Sequence, residues 1–154
     1  MQNLAITQTP PPTLRSREML DEVEDCMRRL ASGDYLERTG VMVQEHLATG
    51  GKRIRARLAL CAMEALGGKR VNAVGWAAAV ELLHNATLIH DDIQDGDRVR
   101  RGQPTTWVRH GVAQAINAGD LMLMLPFLAV EGAPASLRWP LCQLLADGAS
   151  RICL

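Results

Sequence analysis

With 154 residues, of which 47% are apolar and 22% charged, the chain is long enough to bury one sizeable core and too apolar to be disordered. Lysine and arginine number 17, as do aspartate and glutamate, and this zero net charge excludes a general nucleic-acid or acidic-membrane binder. We therefore predict one globular domain with no nucleic-acid partner.

Cysteine usage and hydropathy indicate the compartment. The start of the chain lacks the basic residues and the apolar core of a signal peptide. The longest apolar run, Leu121–Val130, contains Pro126 and is too short to span a bilayer. The cysteines form no CxxC pair, which favours free thiols in a reducing compartment. We predict a cytoplasmic protein with no transmembrane segment. The four cysteines are Cys26, Cys61, Cys142 and Cys153.

The sequence of the first half of the chain predicts a loose arm followed by three helices. Residues 1–12 end in three prolines and are predicted to be a loose arm, with the domain covering 13–154. Apolar residues recur at helical spacing in the three segments, and glycines interrupt the pattern after each. The predicted helices are Thr13–Ala31, Leu36–Leu47 and Lys52–Leu66.

The second half predicts four more helices and one loop. A long central helix is expected first, then a loop, and then three further helices, of which the second is kinked at Pro126. Convincing strand alternation is missing from the sequence, so the predicted class is all-α. The segments are helices Val71–Gln94, Thr105–Ile116, Asn117–Val130 and Pro134–Ile152, with the loop at Gly96–Pro104.

Three carboxylates stand at the end of the central helix: Asp91, Asp92 and Asp95. At about 100° per residue, His84, Asp91 and Asp95 share one stripe of the helix. Like charges at this spacing destabilise a helix by a few tenths of a kcal/mol, so a bound cation is indicated. Magnesium is favoured, because one or two carboxylates plus substrate phosphates hold it. The alternative is a solvated acidic end, paired with the nearby arginines Arg98 and Arg100.

The carboxylates do not form a calcium loop of the EF-hand type. Counted from Asp91, Ile93 fails the third position of such a loop and Gly102 fails the twelfth.

A glycine-basic segment, GGKRIRAR at 50–57, is the second candidate element. Basic residues at the start of a helix oppose its macrodipole, so this segment indicates an anion bound to the backbone N–H groups and the side chains. It is not a P-loop, because no Ser or Thr follows Lys52. The alternative is a solvated basic helix start. The cations it supplies are Lys52, Arg53, Arg55 and Arg57.

The pair Arg100-Arg101, followed by Gly102, stands directly after the carboxylates and presents planar donors suited to phosphate oxygens. Together the three elements predict two phosphate-binding environments. One is metal-bridged at Asp91 and Asp95, and the other is purely basic.

Three motifs in order, GGKRIR, LLHNATLIHDDIQD and RRGQPT, resemble the N-terminal half of the trans-isoprenyl diphosphate synthases, or polyprenyl synthetases. The resemblance covers about Val43 to Val130. It implies the all-α isoprenoid synthase helical bundle. It also implies a prenyltransferase of isoprenoid biosynthesis that condenses an allylic diphosphate with isopentenyl diphosphate head-to-tail (1′-4), with a homodimer expected for the complete protein.

The resemblance also assigns roles by position. Asp91 and Asp95 would bind Mg²⁺ that bridges the allylic diphosphate, with Asp92 in support, and Arg100 would contact the same diphosphate. A second group would hold isopentenyl diphosphate without a metal. That group is Lys52, Arg55, His84 and Arg101, with the backbone at Gly51; His90 is expected in the core or in a supporting role.

Departures from the family pattern qualify these expectations. Ala56 stands where the pattern has proline. The family's second aspartate-rich motif is missing, since Asp120 and Asp147 are isolated, so we expect a truncated chain that is inactive alone. Bulky aromatics before the first motif block the product tunnel in this family, and the small Ala86 and Thr87 there predict a C20 or longer product.

Two other functions compete with an elongating prenyltransferase. A terpene cyclase shares the aspartate motif, but it has no second diphosphate for GGKRIR and RRG to hold. A non-catalytic remnant or partner subunit would act by helix packing alone. The exposed apolar faces of half a bundle would in addition favour dimerisation or aggregation.

Overall fold

The computed structural model describes residues 12–33 and 36–152. Most of the predicted arm and Cys153 lie outside the described residues. The described part contains seven helices and one two-stranded hairpin, which confirms the all-α class. The elements are α1 Pro12–Leu30, α2 Glu37–Ala48, α3 Ile54–Ala65, α4 Arg70–Gln94, β1 Val99–Arg100, β2 Gln103–Pro104, α5 Thr106–His110, α6 Val112–Ala129 and α7 Ala135–Ile152.

The structure differs from the sequence prediction at a helix start, in a loop and at a helix break. Helix α3 begins at Ile54 rather than Lys52. The expected loop after α4 contains the antiparallel hairpin, in which Val99 pairs with Pro104. The helix break placed between residues 116 and 117 falls at Gly111, whose φ of 84° is a left-handed value that favours glycine. Helix α6 therefore starts earlier than predicted and continues through Pro126.

The core is built around α4, which packs against α1, α3 and α6. Its contact with α6 is close because small residues lie between the two backbones. A Cβ added at Gly75 would lie 2.5 Å from the Ala129 carbonyl oxygen, and one added at Gly119 would overlap the His90 ring. These two contacts also show that α4 and α6 are antiparallel.

Helix α6 is long and apolar enough to cross a membrane by length and composition alone, with a mean hydropathy of 1.4 over 18 residues. A core helix of a soluble protein passes the same test. Ala115, Ala118, Met122 and Leu125 of α6 are buried in the core, whereas Met124 and Leu128 are exposed, and 39% of the apolar window is buried.

Large apolar side chains remain exposed on the helices that border the described bundle. Trp139 on α7 is 71% exposed, and Leu58 on α3 is 69% exposed. Such surface favours packing against further polypeptide. The other exposed apolar residues of these two helices are Ile54, Leu137, Leu144 and Ile152.

The three cysteines within the described residues, Cys26, Cys61 and Cys142, are free thiols. Burial raises the pKa of the Cys26 thiol, although nearby Arg29 opposes this effect.

We predict that Gly75→Ala lowers the free energy of unfolding by about 1 kcal/mol or more, because the new methyl group meets a backbone carbonyl that cannot turn away. Gly148→Ala is the matched control. A Cβ at Gly148, within α7, has no neighbour within 4 Å, so this change should add about 0.5–1 kcal/mol through helix propensity. Urea unfolding of both variants tests this, and equal shifts of the same sign would contradict it.

The pH dependence of stability should carry the signature of buried His46. Burial, and after it the charges of Arg101 and Arg100, lower the pKa of His46 from 6.5 to about 4. The unfolded chain therefore binds more protons between these two values, and stability falls by about 3 kcal/mol as pH drops from 6.5 to 4. Urea unfolding across this range should show a flatter profile for His46→Gln. Identical profiles would contradict the assignment.

Candidate functional site

The loop between α2 and α3 has an unusual backbone. Gly50, Gly51 and Arg53 all have positive φ, at 79°, 138° and 49°. For Arg53 this left-handed conformation is strained, and contacts of its side chain must hold it. The guanidinium is buried: its Nε donates to Glu24 Oε1 at 3.2 Å and its Nη2 to the Leu47 carbonyl at 2.9 Å. The loop is thereby fixed to α1 and α2.

The side chain of Glu81 on α4 contacts the start of α3. Its Oε2 accepts the Ala56 backbone N–H at 3.2 Å, and its Oε1 lies 3.9 Å from Arg53 Nη1. The side chain of Asn85 donates to the Glu81 carbonyl at 2.8 Å. Glu81 thus already binds one of the backbone N–H groups at the start of α3 that were predicted to bind an anion. Arg53 was predicted to be one of the cations that this segment supplies, but its side chain is buried against Glu24 and Glu81.

Arg101 stands at the tip of the hairpin with a φ of 52°, and its guanidinium lies directly against Gly51. A Cβ at Gly51 would lie 2.8 Å from Arg101 Cζ. Arg101 Nη1 donates to Thr49 Oγ1 at 3.4 Å. Burial, and then the neighbouring charges of Arg53 and Arg100, lower the pKa of Arg101. Because Gly51 has no side chain, the Arg101 guanidinium can lie against the backbone of the loop.

A cleft of about 340 Å³, here called the basic cleft, brings together all five residues predicted to hold isopentenyl diphosphate. Lys52 and Arg55 are exposed at its rim, and His84 is half-buried. Burial, and next the charge of Arg55, lower the pKa of His84, which favours the neutral imidazole. The residues that line the cleft are Gly51, Lys52, Arg53, Ile54, Arg55, Glu81, His84 and Arg101.

The two carboxylates predicted to bind magnesium lie at the C-terminal end of α4. Asp91 is half-buried, and Asp95 is the exposed residue that caps the helix. Within the described residues, no group of three or more His, Cys, Asp or Glu side chains could hold a metal ion by itself. A pair of carboxylates fits Mg²⁺ that takes its other ligands from water and substrate phosphates.

Asp92 points the other way. It is 1% exposed, and its Oδ1 accepts from both Nε and Nη2 of Arg100 at 2.7 Å. Burial raises the pKa of Asp92, although the bonds to Arg100 oppose this effect. The predicted pairing of Arg100 with the acidic end is therefore present, whereas Arg98 lies over the Trp107 ring at 5.3 Å.

A small cavity of about 10 Å³ lies beside this ion pair. His46 and Asp92 both line it, and His46 Nε2 and Asp92 Oδ2 are buried without a hydrogen-bond partner. Sequence reasoning missed His46, Glu81 and Asn85. The available signal was a polar residue inside an otherwise apolar stretch, since buried polar groups need partners.

The remaining predicted residues lie along α4. Ala86 is fully buried, and Thr87 donates its hydroxyl to the His84 carbonyl at 2.8 Å. His90 is half-buried and faces Asp120 of α6 at 3.4 Å. Asp120 is thus not isolated in space, although it stands alone in the sequence.

Comparison with known proteins identifies the fold. The sequence matches the polyprenyl synthetase family over residues 16–154. The structure superposes on the geranylgeranyl pyrophosphate synthetase of Pyrococcus horikoshii with a TM-score of 0.83 and 32% identity, covering 91% of this chain and 43% of that one. For the synthetase of the archaeon Geoglobus acetivorans the TM-score is 0.82, with 32% identity and coverage of 89% and 45%.

Two curated relatives match more closely in sequence. The short chain isoprenyl diphosphate synthase of Methanothermobacter thermautotrophicus is 46% identical over 71% of this chain and 34% of its own length. The geranylgeranyl diphosphate synthase of Sulfolobus acidocaldarius is 42% identical over 77% and 37%. The chain thus spans about a third of the length of these relatives. From the match over residues 16–154, the chain belongs to the polyprenyl synthetase family.

Proposed function

We propose that the chain provides the two diphosphate-binding walls of a prenyltransferase, which joins an allylic diphosphate to isopentenyl diphosphate head-to-tail (1′-4). The observation that carries this proposal is the basic cleft. It gathers Lys52, Arg55, His84 and Arg101 beside Gly51, and the carboxylate pair lies separately at the end of α4. One diphosphate would thus meet cations alone, and the other would meet carboxylates suited to a metal.

The basic cleft suits isopentenyl diphosphate because this substrate must be held without activating its own C–O bond. Lys52 and Arg55 at the rim supply charge, and Arg101, fixed against Gly51, supplies planar donors. Neutral His84 can donate one hydrogen bond without adding charge. These contacts would orient the double bond of isopentenyl diphosphate towards the allylic substrate.

The acidic end of α4 suits the allylic diphosphate. Asp91 and Asp95 would hold Mg²⁺, which when bound would neutralise the charge that develops on the leaving diphosphate. Arg100 directs Nε and Nη2 to Asp92, which leaves the two N–H groups of Nη1 and the second N–H of Nη2 as donors for a phosphate oxygen. The allylic C–O bond breaks, the second substrate's double bond attacks the carbocation, and a proton is lost.

The product is proposed to be C20 or longer. Ala86 and Thr87, one turn before the first aspartate, are small and leave α4 without an aromatic obstruction at these two positions. The relatives named geranylgeranyl diphosphate synthases support this length, and farnesyl diphosphate synthases among the relatives set the shorter alternative.

A partner-subunit role is the second candidate, and the exposed apolar side chains of α3 and α7 favour it. In that role the helices would stabilise another polypeptide, or a second copy in a homodimer, by packing. The acidic end of α4 would then be dispensable, so binding measurements at that end separate the two functions.

Binding at the acidic end of α4 should require Mg²⁺, whereas binding in the basic cleft should not. With EDTA present, isothermal titration should detect binding of isopentenyl diphosphate, and Arg55→Ala should weaken it about tenfold through the loss of one charged hydrogen bond. Arg151→Ala is the matched control, since exposed Arg151 of α7 pairs with Asp147 and does not line the cleft. Equal effects of both changes would contradict the assignment.

The same titration with Mg²⁺ and geranyl diphosphate tests the acidic end. Asp91→Asn combined with Asp95→Asn should abolish this binding and leave metal-free isopentenyl diphosphate binding unchanged, because the two carboxylates do not line the basic cleft. Unchanged binding of geranyl diphosphate would favour the partner-subunit role.

Gly51→Ala should weaken metal-free isopentenyl diphosphate binding about tenfold or more, because the new methyl group occupies the place of the Arg101 guanidinium. Gly50→Ala is the control for a positive φ: φ is 79° there and 138° at Gly51, and a Cβ at Gly50 would meet no atom within 4 Å. Similar affinities of the two variants for isopentenyl diphosphate would show that backbone strain, rather than the contact between Arg101 and Gly51, sets the affinity.

A further inference from the structure

Glu81 is the feature of the site that the proposed reaction does not use. Its side chain is 4% exposed, although it carries a carboxylate in the middle of the apolar helix α4. Burying a carboxylate is costly unless it is paired and hydrogen-bonded. Within the described residues that line the basic cleft, Glu81 is the single acidic side chain. A negative charge in a cleft suited to anions needs an explanation.

The contacts of Glu81 join the end of the loop at Arg53 to the first turn of α3. One carboxylate oxygen takes the Ala56 N–H in the first turn of α3, and the other faces the Arg53 guanidinium. Arg53 in turn holds the loop to Glu24 and to the Leu47 carbonyl. The positions of Lys52 and Arg55, which flank Arg53 and Ile54, therefore depend on what Glu81 holds.

The backbone N–H of Ala56 makes one of these contacts available. A proline at this position would have no backbone N–H, so it could not donate to Glu81. Ala56 is fully buried, and its N–H points to Glu81 Oε2. In this chain the carboxylate therefore caps the first turn of α3 in addition to facing Arg53.

Glu81 also offsets repulsion among the arginines in and beside the basic cleft. Arg53, Arg100 and Arg101 lie near one another, and the first two lower the pKa of Arg101 while Glu81 raises it. Without an anion bound, these guanidinium groups would tend to separate. A fixed carboxylate keeps them close before the diphosphate arrives.

We propose that Glu81 is a positioning residue: it caps α3 through the Ala56 N–H and holds Arg53, and so sets the spacing of the cations in the basic cleft. This inference rests on the proposed function, since it concerns the same cleft. It makes a counterintuitive prediction. Removing this negative charge should weaken anion binding, whereas a charge acting only at a distance would predict tighter binding.

The test uses the 154-residue chain, with inorganic pyrophosphate as the probe and EDTA present, by isothermal titration below the unfolding transition of each variant. Glu81→Gln keeps an acceptor for the Ala56 N–H and should bind about threefold more weakly. Glu81→Ala loses both contacts and should bind about tenfold or more weakly. Glu64→Gln, an exposed change of the same charge on α3, is the control and should bind like the wild type.

Amide hydrogen exchange at Ala56 supplies a readout that does not require any ligand. Exchange should accelerate in Glu81→Ala and stay slow in Glu81→Gln, whose side-chain oxygen still accepts. Equal exchange in both variants would overturn the capping role.

The outcomes separate the two proposals. If the wild type binds no pyrophosphate, the proposed function fails, and the role of Glu81 in anion binding fails with it. If the wild type binds and the two Glu81 variants bind equally well or more tightly, the inference about Glu81 fails while the proposed function stands. The order wild type, Glu81→Gln, Glu81→Ala supports both.

Discussion

The site depends on the burial of Arg53 within a loop that has no regular structure. A buried guanidinium needs acceptors or opposite charges around it: Glu24 of α1 and the Leu47 carbonyl of α2 accept from Nε and Nη2, and Glu81 of α4 faces Nη1 at 3.9 Å without a hydrogen bond. That requirement fixes three helices around the five loop residues 49–53, although the loop backbone itself is strained. Lys52 before it and Arg55 after it then point outward at a defined spacing, and Gly51 leaves room for Arg101.

Most helices could be predicted from the sequence, because their ends coincide with glycines and prolines that interrupt a clear apolar period. The errors have physical causes. Gly111 ends α5 inside a segment whose apolar residues recur on both sides, at Trp107 and Val108 and again at Val112, so periodicity alone gave no reason to prefer it over residues 116 and 117. The hairpin has strands of two residues each, too short to show any alternation, and its turn at Arg101-Gly102 depends on positive φ at both positions.

The sequence predicted the residues of the candidate site that line the cleft, and it did not predict the buried residues that hold them in place. Motif order identified Lys52, Arg55, His84 and Arg101, which the fold brings to one cleft. Arg53 carries the same charge as its neighbours, and nothing in its local sequence distinguishes the buried arginine from the exposed ones. Glu81 and His46 acquire their environments only from tertiary packing: Ala56, which donates to Glu81, is 25 residues away along the chain, and Asp92 lines the same cavity as His46 from another helix.

The central claim is that one diphosphate is held by cations and backbone alone, apart from the carboxylates of the metal-binding motif. A crystal structure of the chain soaked with isopentenyl diphosphate in the presence of EDTA tests it most directly. The account predicts diphosphate density between Lys52, Arg55 and Arg101, in contact with the backbone at Gly51. Density only at the end of α4 near Asp91 and Asp95, or an empty cleft at saturating ligand, would contradict it.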